Sequence, residues 1–513
     1  MNVPARSDAR PLAWPLAHPL AWFALLALAQ VAVRLVVSPA LKWDEAEQML
    51  WSQQILPGYG PQPPLYTWLQ WAMNGLLGPS VLSLAVLKQG LLALTYGFMW
   101  LGAREVLGPR AAFWASAGMV LLPALGWFSI RDQTHTILVS TMACGAWWML
   151  IRIVRHQRPA DFAWLGLFCG LGMLAKYNFA LFAAALLLAA LTVPEARRAL
   201  LARGWWWAPL VALLVVLPHS LWLLHHVQEA TSGTLRKMEM GRFDSIGRGL
   251  LKLTQSWVGS VLLWSLAALA AFGAAWWRPP RSDGGADPAR TRWLAQLGGC
   301  YLLLVTLPLL AMVLLAHVTS FRDRWLLPLL CGFPLIAMAW RPQLDFDPRG
   351  RRLSGAIIGF ALLTVLVAGV RPWIAARLPP FDELNHPIAK LADALRGAGY
   401  DGKSPILGAD HMLAGALRTR FPAAPIYACG FDEAAAPCLR DFLADPVRRD
   451  GGWLVISRAD RLAPNWWAQA LQAMPAASAA AGVHQIELPY LMAPAGAPLA
   501  RYDYLWHPAA AQP

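Results

Sequence analysis

The sequence predicts an α-helical polytopic membrane protein with a small α/β domain at its C-terminal end. Of 513 residues, 57% are hydrophobic and only 14% charged, against about 25% charged in soluble domains. The apolar residues gather in segments close to the roughly 20 that a helix needs to cross a bilayer. The 28 tryptophans suit a chain with many headgroup boundaries, where an indole ring keeps its body in lipid and its N–H in water. Together these exclude a soluble enzyme, a disordered scaffold and a secreted disulfide-rich module. A net charge of +14 would suit a nucleic acid if it lay on one soluble face. Most of it lies instead in short loops between apolar segments, so membrane lipids are the expected partner and nucleic acid is not.

Taken in order, apolar segments run over 18–38, 81–103, 109–128, 133–151, 162–175, 179–193, 205–225, 256–277, 293–315, 325–340 and 353–371, about eleven spans. The first is too long for a cleaved signal peptide, lacks a small-residue cleavage site, and reads as a retained anchor. Residues 162–193 are split by Lys176-Tyr177-Asn178, because a charge at mid-bilayer costs at least about 2.5 kcal/mol. Alternate loops then carry Arg104 and Arg110; Arg152, Arg155 and Arg158; Arg197, Arg198 and Arg203; Arg278, Arg281, Arg290 and Arg292; and Arg341, Arg349, Arg351 and Arg352. The positive-inside rule puts these loops in the cytoplasm and the remaining loops in the periplasm of a bacterial inner membrane.

Two regions are not spans. The loop 39–80 carries WDEAEQMLWSQQIL and PPLYTWLQWAMNGLL, both amphipathic at helical spacing. They read as surface helices, with Trp43, Trp51, Trp68 and Trp71 near the interface. From residue 380 to 513 charge, Pro and Gly return. There SPILGAD, APIYACG, WLVISRAD and VHQIELPY read as strands, and PIAKLADALRGAG, HMLAGALRTRF and NWWAQALQAM as helices. The expected division is a membrane domain, 1–379, and a periplasmic α/β domain, 380–513. Cys144, Cys169, Cys300 and Cys331 lie in spans and read as small hydrophobes. Cys429 and Cys438 flank GFDEAAAP, where an oxidising compartment favours a disulfide and two free thiols are the alternative. No metal-ligand spacing, phosphate loop or dinucleotide fingerprint is visible, so no cofactor is predicted, although a divalent cation is left open.

This topology sorts the polar residues. Asp44, Glu45, Asp132, His135, Lys176, Tyr177, Asn178, Arg322, Asp323 and Arg324 all fall at outer span ends or in outer loops. Ionisable groups at membrane depth normally face a cavity or pathway. Carboxylates and cations gathered at one leaflet suit an anionic lipid headgroup: Lys and Arg hold a phosphate, and a carboxylate takes a proton from an attacking nucleophile. Asp44 has a plainer reading as the cap of the helix after it, and Lys176 as a snorkelling residue.

KWDEAEQMLWSQQIL followed by PQPPLYTWLQ resembles the first outer loop of membrane glycosyltransferases related to protein mannosyltransferases and to the aminoarabinose transferases of lipid A, a superfamily with the GT-C fold. RDQTHTILV, GLGMLAKYNFAL and DRWLLPLL extend the resemblance in order along about residues 18–371. It implies an inverting glycosyltransferase that moves a sugar from a polyprenyl-phosphate carrier to an envelope acceptor, lipid A or another glycan, a glycolipid or a protein. Asp44 falls on the family's first-loop Asp, so the resemblance makes it the catalytic base or its organiser, with Glu45 a supporting acid and Lys176, Arg322 and Arg324 holding the carrier phosphate. Tyr177 and Asn178 follow that lysine directly, and Tyr66 lies in the Pro-Pro-Leu-Tyr helix. Two departures stand out. Many relatives carry a second Asp where this chain has His135, a role that Asp132, three residues earlier, would also fill. Many have a Lys where this chain has Gln62, leaving one phosphate contact to Arg236, Lys237 and Arg242 in LRKMEMGR. A flippase for a lipid-linked sugar is the non-enzymatic alternative, although repeated halves and midplane polar groups, usual in transporters, are not apparent.

Overall fold

The computed structural model describes residues 13–131, 133–231, 245–278, 288–430, 434–462, 465–475 and 482–509. The chain divides into two compact units. One holds Met1–Ala29, Leu56–Tyr66 and Lys88–Val365; the other holds Gln30–Ile55, Thr67–Leu87 and Leu366–Pro513.

Among the described residues, seven helices are long and apolar enough to cross a membrane: Pro19–Val37, Val81–Val106, His135–His156, Trp207–His225, Ile246–Trp277, Thr291–Ala316 and Gly350–Ala375. Phe179–Thr192 and Pro194–Leu200, bent by 110°, make an eighth if they are one span. Leu213, Leu214, Leu217, Leu221 and Leu224 stand exposed along Trp207–His225. Such a leucine face is stable only in an apolar surrounding. The chain is a multi-pass membrane protein.

The remaining expected spans are helical but short or broken, and each break has a local cause. The segment 109–128 is a helix Pro109–Ser116, a 3-10 turn Ala117–Leu121 and a further turn Pro123–Gly126. A β-carbon at Gly126 would lie 1.7 Å from the Val120 carbonyl oxygen, so glycine alone lets the chain fold back there. The segment 325–340 is two helices, Asp323–Leu330 and Phe333–Trp340. Residues 162–193 divide where expected: a helix Pro159–Ala175 ends at Lys176, whose backbone is extended (φ −166°), and Phe179–Thr192 follows.

The C-terminal part of the second unit is an α/β domain with five strands, β1 (Ile406–Gly408), β2 (Ile426–Ala428), β3 (Trp453–Arg458), β4 (His484–Pro489) and β5 (Leu499–His507). Their order is β2-β1-β3-β5-β4. β1 runs parallel to β2 and β3, while β5 runs antiparallel to β3 and β4. Every residue of β3 is buried, as expected of a strand covered on both faces. On one face Leu454 and Ile456 pack with Leu391, Leu413 and Leu417, together with Ala46 and Met49 of the first loop. On the other, Trp453 and Val455 pack with Leu439, Phe442 and Trp466. The apolar stripe of the helix Trp43–Trp51 is thus taken up by protein: Ala46 and Met49 are both 0% exposed.

Candidate active site

In the second unit the Asp44 helix, Trp43–Trp51, starts where Lys42 turns the backbone to extended (φ −84°, ψ 165°). Glu45, in the first turn, reaches back to accept from the Lys42 N–H at 3.0 Å, which satisfies one of the amides a helix start leaves open. Asp44 sits at the second helical position, half-buried. It is therefore not the capping residue, although its charge complements the helix dipole.

The residues around it are heavily paired. Arg34 forks onto Glu45, Nε to Oε1 at 3.2 Å and Nη2 to Oε2 at 2.7 Å. The same guanidinium donates to the Ser38 and Ala40 carbonyls, each at 2.7 Å. Lys42 Nζ donates to Asp382 Oδ1 at 3.1 Å, and Arg371 meets Oδ2 of the same carboxylate. Burial lowers the Lys42 ammonium below its ordinary value; Asp382 opposes this, and Arg371 adds to it. Burial would raise the Asp382 carboxyl, but Lys42, the Leu384 N–H and Arg371 together hold it below its ordinary value.

The first unit brings together Tyr66, His135 and Lys176. Lys176, just past the end of its helix, donates to Thr136 Oγ1 at 2.9 Å. His135 Nδ1 lies 3.3 Å from the Ala175 carbonyl. A carbonyl only accepts, so this nitrogen carries the proton. The His135 ring lies 5.3 Å from that of Tyr66, which is fully buried. Tyr177 OH is 3.2 Å from His219 Nε2, while His219 Nδ1 donates to the Pro57 carbonyl at 2.7 Å. Asn178 Nδ2 donates to the Trp325 carbonyl at 2.9 Å, and its buried Oδ1 has no hydrogen-bond partner among the described residues. Arg322, exposed, precedes the helix Asp323–Leu330, and Arg324 lies half-buried within it. Gln62 closes a tight turn by backbone hydrogen bonds with Tyr59, at 3.2 and 3.3 Å. Asp132, Arg236, Lys237 and Arg242 lie outside the described residues. Among those described, no group of three or more His, Cys, Asp or Glu side chains could hold a metal ion. Cys429 and Cys438 are joined by a disulfide, their Cα atoms 5.5 Å apart.

Residues 61–222 match the family described as dolichyl-phosphate-mannose-protein mannosyltransferase. Over 433 residues the chain is 31% identical to the lipopolysaccharide core galacturonosyltransferase RgtB of Rhizobium johnstonii, covering 83% of this chain and 85% of RgtB. Over 470 residues it is 30% identical to RgtA, another lipopolysaccharide core galacturonosyltransferase of that organism, covering 90% and 91%. The chain belongs to the GT-C glycosyltransferases related to protein mannosyltransferases. ArnT from Cupriavidus metallidurans, solved with undecaprenyl phosphate bound, has the same fold at a TM-score of 0.60 and 13% identity, covering 96% of this chain and 98% of ArnT.

The glycosyltransferase also shows residues that the sequence reading left out. Arg34 is the only charged residue in Pro19–Val37, and a lone cation in a span was signal enough to suspect it. Asp382 and Thr136 carried no such mark, since each gains its meaning only from the partner that folding supplies.

Proposed function

We propose that this glycosyltransferase transfers galacturonic acid from a polyprenyl-phosphate carrier to the lipopolysaccharide core at the periplasmic face of a bacterial inner membrane. The observation that carries this reading is the near full-length likeness to two lipopolysaccharide core galacturonosyltransferases. An acceptor hydroxyl attacks the anomeric carbon from the face opposite the phosphate, which inverts it. Asp44 takes the hydroxyl proton as the new C–O bond forms. The bond to the phosphate oxygen breaks with its electron pair, and Lys176, Arg322 and Arg324 stabilise the charge left on the departing phosphate. Tyr66, His135, Tyr177 and Asn178 shape the carrier site around Lys176, and Asp132 and Gln62 with Arg236, Lys237 and Arg242 remain candidates for the second acid and for further carrier contacts. Residues 1–379 form the membrane domain in this reading, and 380–513 face the periplasm.

The test is transfer of labelled galacturonic acid from its polyprenyl phosphate to lipopolysaccharide of a deletion strain, followed by mass spectrometry. A gain of one hexuronic acid unit on the core is expected. Label on lipid A, or on protein Ser or Thr, would move the acceptor; no transfer with any acceptor would favour a flippase. A reporter active only in the periplasm should work when fused after residue 375 and fail after residue 345. The reverse pattern would put the proposed site on the cytoplasmic side.

A further inference from the structure

The four residues around Asp44 are each fastened to something else. Lys42 is held by Asp382, which Arg371 holds from the other oxygen and whose backbone N–H donates to Asn385 Oδ1 at 3.1 Å. Trp43 stacks on His411 with ring centroids 6.3 Å apart and planes 17° from parallel. Glu45 takes two bonds from Arg34 and one from the Lys42 N–H. Beyond it, the Ala46 carbonyl lies where a β-carbon on Gly415 would come within 2.1 Å, so two helix backbones touch with no side chain between them.

We infer that these contacts form a mount that presents Asp44, and that Glu45 and Arg34 are a positioning pair within it. The inference rests on Asp44 being the base. Glu45 is poorly suited to be a second reacting acid. Both its oxygens accept from a guanidinium, and a proton would have to displace those bonds before it could be passed on. The side chain is also 94% buried, by its 6% relative exposure. Arg34 in turn spends four of its five N–H donors on two carbonyls and Glu45, so a carrier phosphate would have to displace bonds already made to be held by its fork. The mount draws on the C-terminal α/β domain through Asp382, His411 and Gly415, which gives that domain a part in the reaction. A displacement of about 1 Å at a reacting group is enough to cost about a hundredfold in rate.

The experiment measures galacturonosyl transfer by the full-length protein in nanodiscs, with polyprenyl-phosphate galacturonic acid as donor. Variants are Arg34→Gln, Glu45→Gln, both together, Lys42→Gln, Gly415→Ala and, as control, Asp44→Asn. Each mount variant should lower kcat about tenfold or more, leave KM for the donor within about twofold, and keep the wild-type shape of the pH–rate profile. The double Arg34→Gln/Glu45→Gln variant should lose no more than the worse single, because the two act as one unit. Independent, multiplying losses, or a pH–rate limb that vanishes in Glu45→Gln, would overturn the positioning assignment and return Glu45 to acid chemistry. If the double variant does not fold, Lys42→Gln and Gly415→Ala decide: unchanged kcat in both overturns the mount. Asp44→Asn at wild-type rate would overturn the base itself, whatever the mount variants do.

Discussion

The ammonium of Lys42 lies 3.1 Å from a carboxylate, and that of Lys176 lies 2.9 Å from a hydroxyl. The contrast runs through both regions. Beside Asp44, Arg34 faces Glu45, and Lys42 shares Asp382 with Arg371. Around Lys176, Asn178 donates to a carbonyl, Tyr177 meets His219, and His135 donates to a carbonyl. A charge closed in an ion pair holds geometry, and separating the pair leaves a buried charge at high cost. Lys176 sits where two apolar helices break, and an ionisable group at such a depth normally faces a cavity or pathway. The first arrangement suits the positioning of a base, the second the reception of a phosphate.

The comparison breaks most sharply at Asp44. Asp44→Asn should cut transfer by about a hundred- to ten-thousand-fold, the usual cost of a lost general base. The backbone-capping contact belongs to Glu45 and Asn keeps the size and hydrogen-bonding capacity of Asp, so thermal stability should change by no more than about 1 kcal/mol. A stable, active Asp44→Asn protein would leave the first region with paired charges and nothing to position.

The second region is tested by neutralising its cations. Lys176→Met should weaken carrier binding about tenfold and lower kcat as well, because the same ammonium stabilises the charge that builds on the departing phosphate. Arg324→Gln should do the same, and Arg324→Lys should restore part of the loss, because an ammonium cannot reproduce the bidentate fork. Titration with carrier lipid reads this directly. Unchanged affinity in both neutral variants would make these residues interface anchors and remove the contrast with Lys42.

These two regions were unequally legible in the sequence. The break at Lys176 was readable because a charge in the middle of a long apolar run is costly in lipid, so the run divides there. The acidic pair after the first span was readable from its pattern, but its meaning was not. Glu45 and Asp44 look equivalent side by side, and only the position of Arg34 one helix earlier separates them. Lys42 and Asp382 stand 340 residues apart, and no local pattern predicts such a pair. In the α/β domain, β5 was missed because Arg501 and Asp503 stand on its exposed face, between the buried Ala500, Tyr502 and Tyr504. The chain there reads as polar, although it alternates as a half-buried strand should. The broken segment at 109–131 was missed for the opposite reason, because hydropathy counts apolar residues and takes no account of the Gly126 fold-back.

The Asp382 carboxylate gives the paired region a signature in pH. Its folded value is depressed, so its contribution to stability is complete above the ordinary carboxylate range and is lost as pH falls through the lower folded value. Wild-type protein should therefore keep the Lys42 contact through the ordinary carboxylate range and lose melting temperature only below it. Asp382→Asn should be less stable at neutral pH by on the order of 3 kcal/mol, since it strands Lys42 and Arg371. It should also lose part of the acid-dependent drop. Melting curves in detergent between pH 3 and pH 8, roughly the range over which carboxylates titrate, check both. Identical acid limbs in the two proteins would mean that Asp382 is not the group that closes this region.

The smallest effect should come from the disulfide, and it sharpens the comparison from the far side of the sheet. Cys429 and Cys438 belong to the core face with Leu439, Phe442 and Trp453. The residues that hold the Asp44 helix, Leu413 and Met412 among them, belong to the opposite face with Ala46 and Met49. The bond closes a short loop, with a sequence separation of 9. Removing a crosslink over so few residues costs about 2–3 kcal/mol by the chain-entropy argument. Cys429→Ala/Cys438→Ala should thus melt several degrees lower than wild type while transferring sugar within about twofold of its rate. Reductant should lower the melting point of wild type and leave that of the double variant where it is. If transfer falls in step with stability, the two faces of the sheet are mechanically coupled. The support of Asp44 would then extend through the whole domain rather than resting on the face that touches its helix.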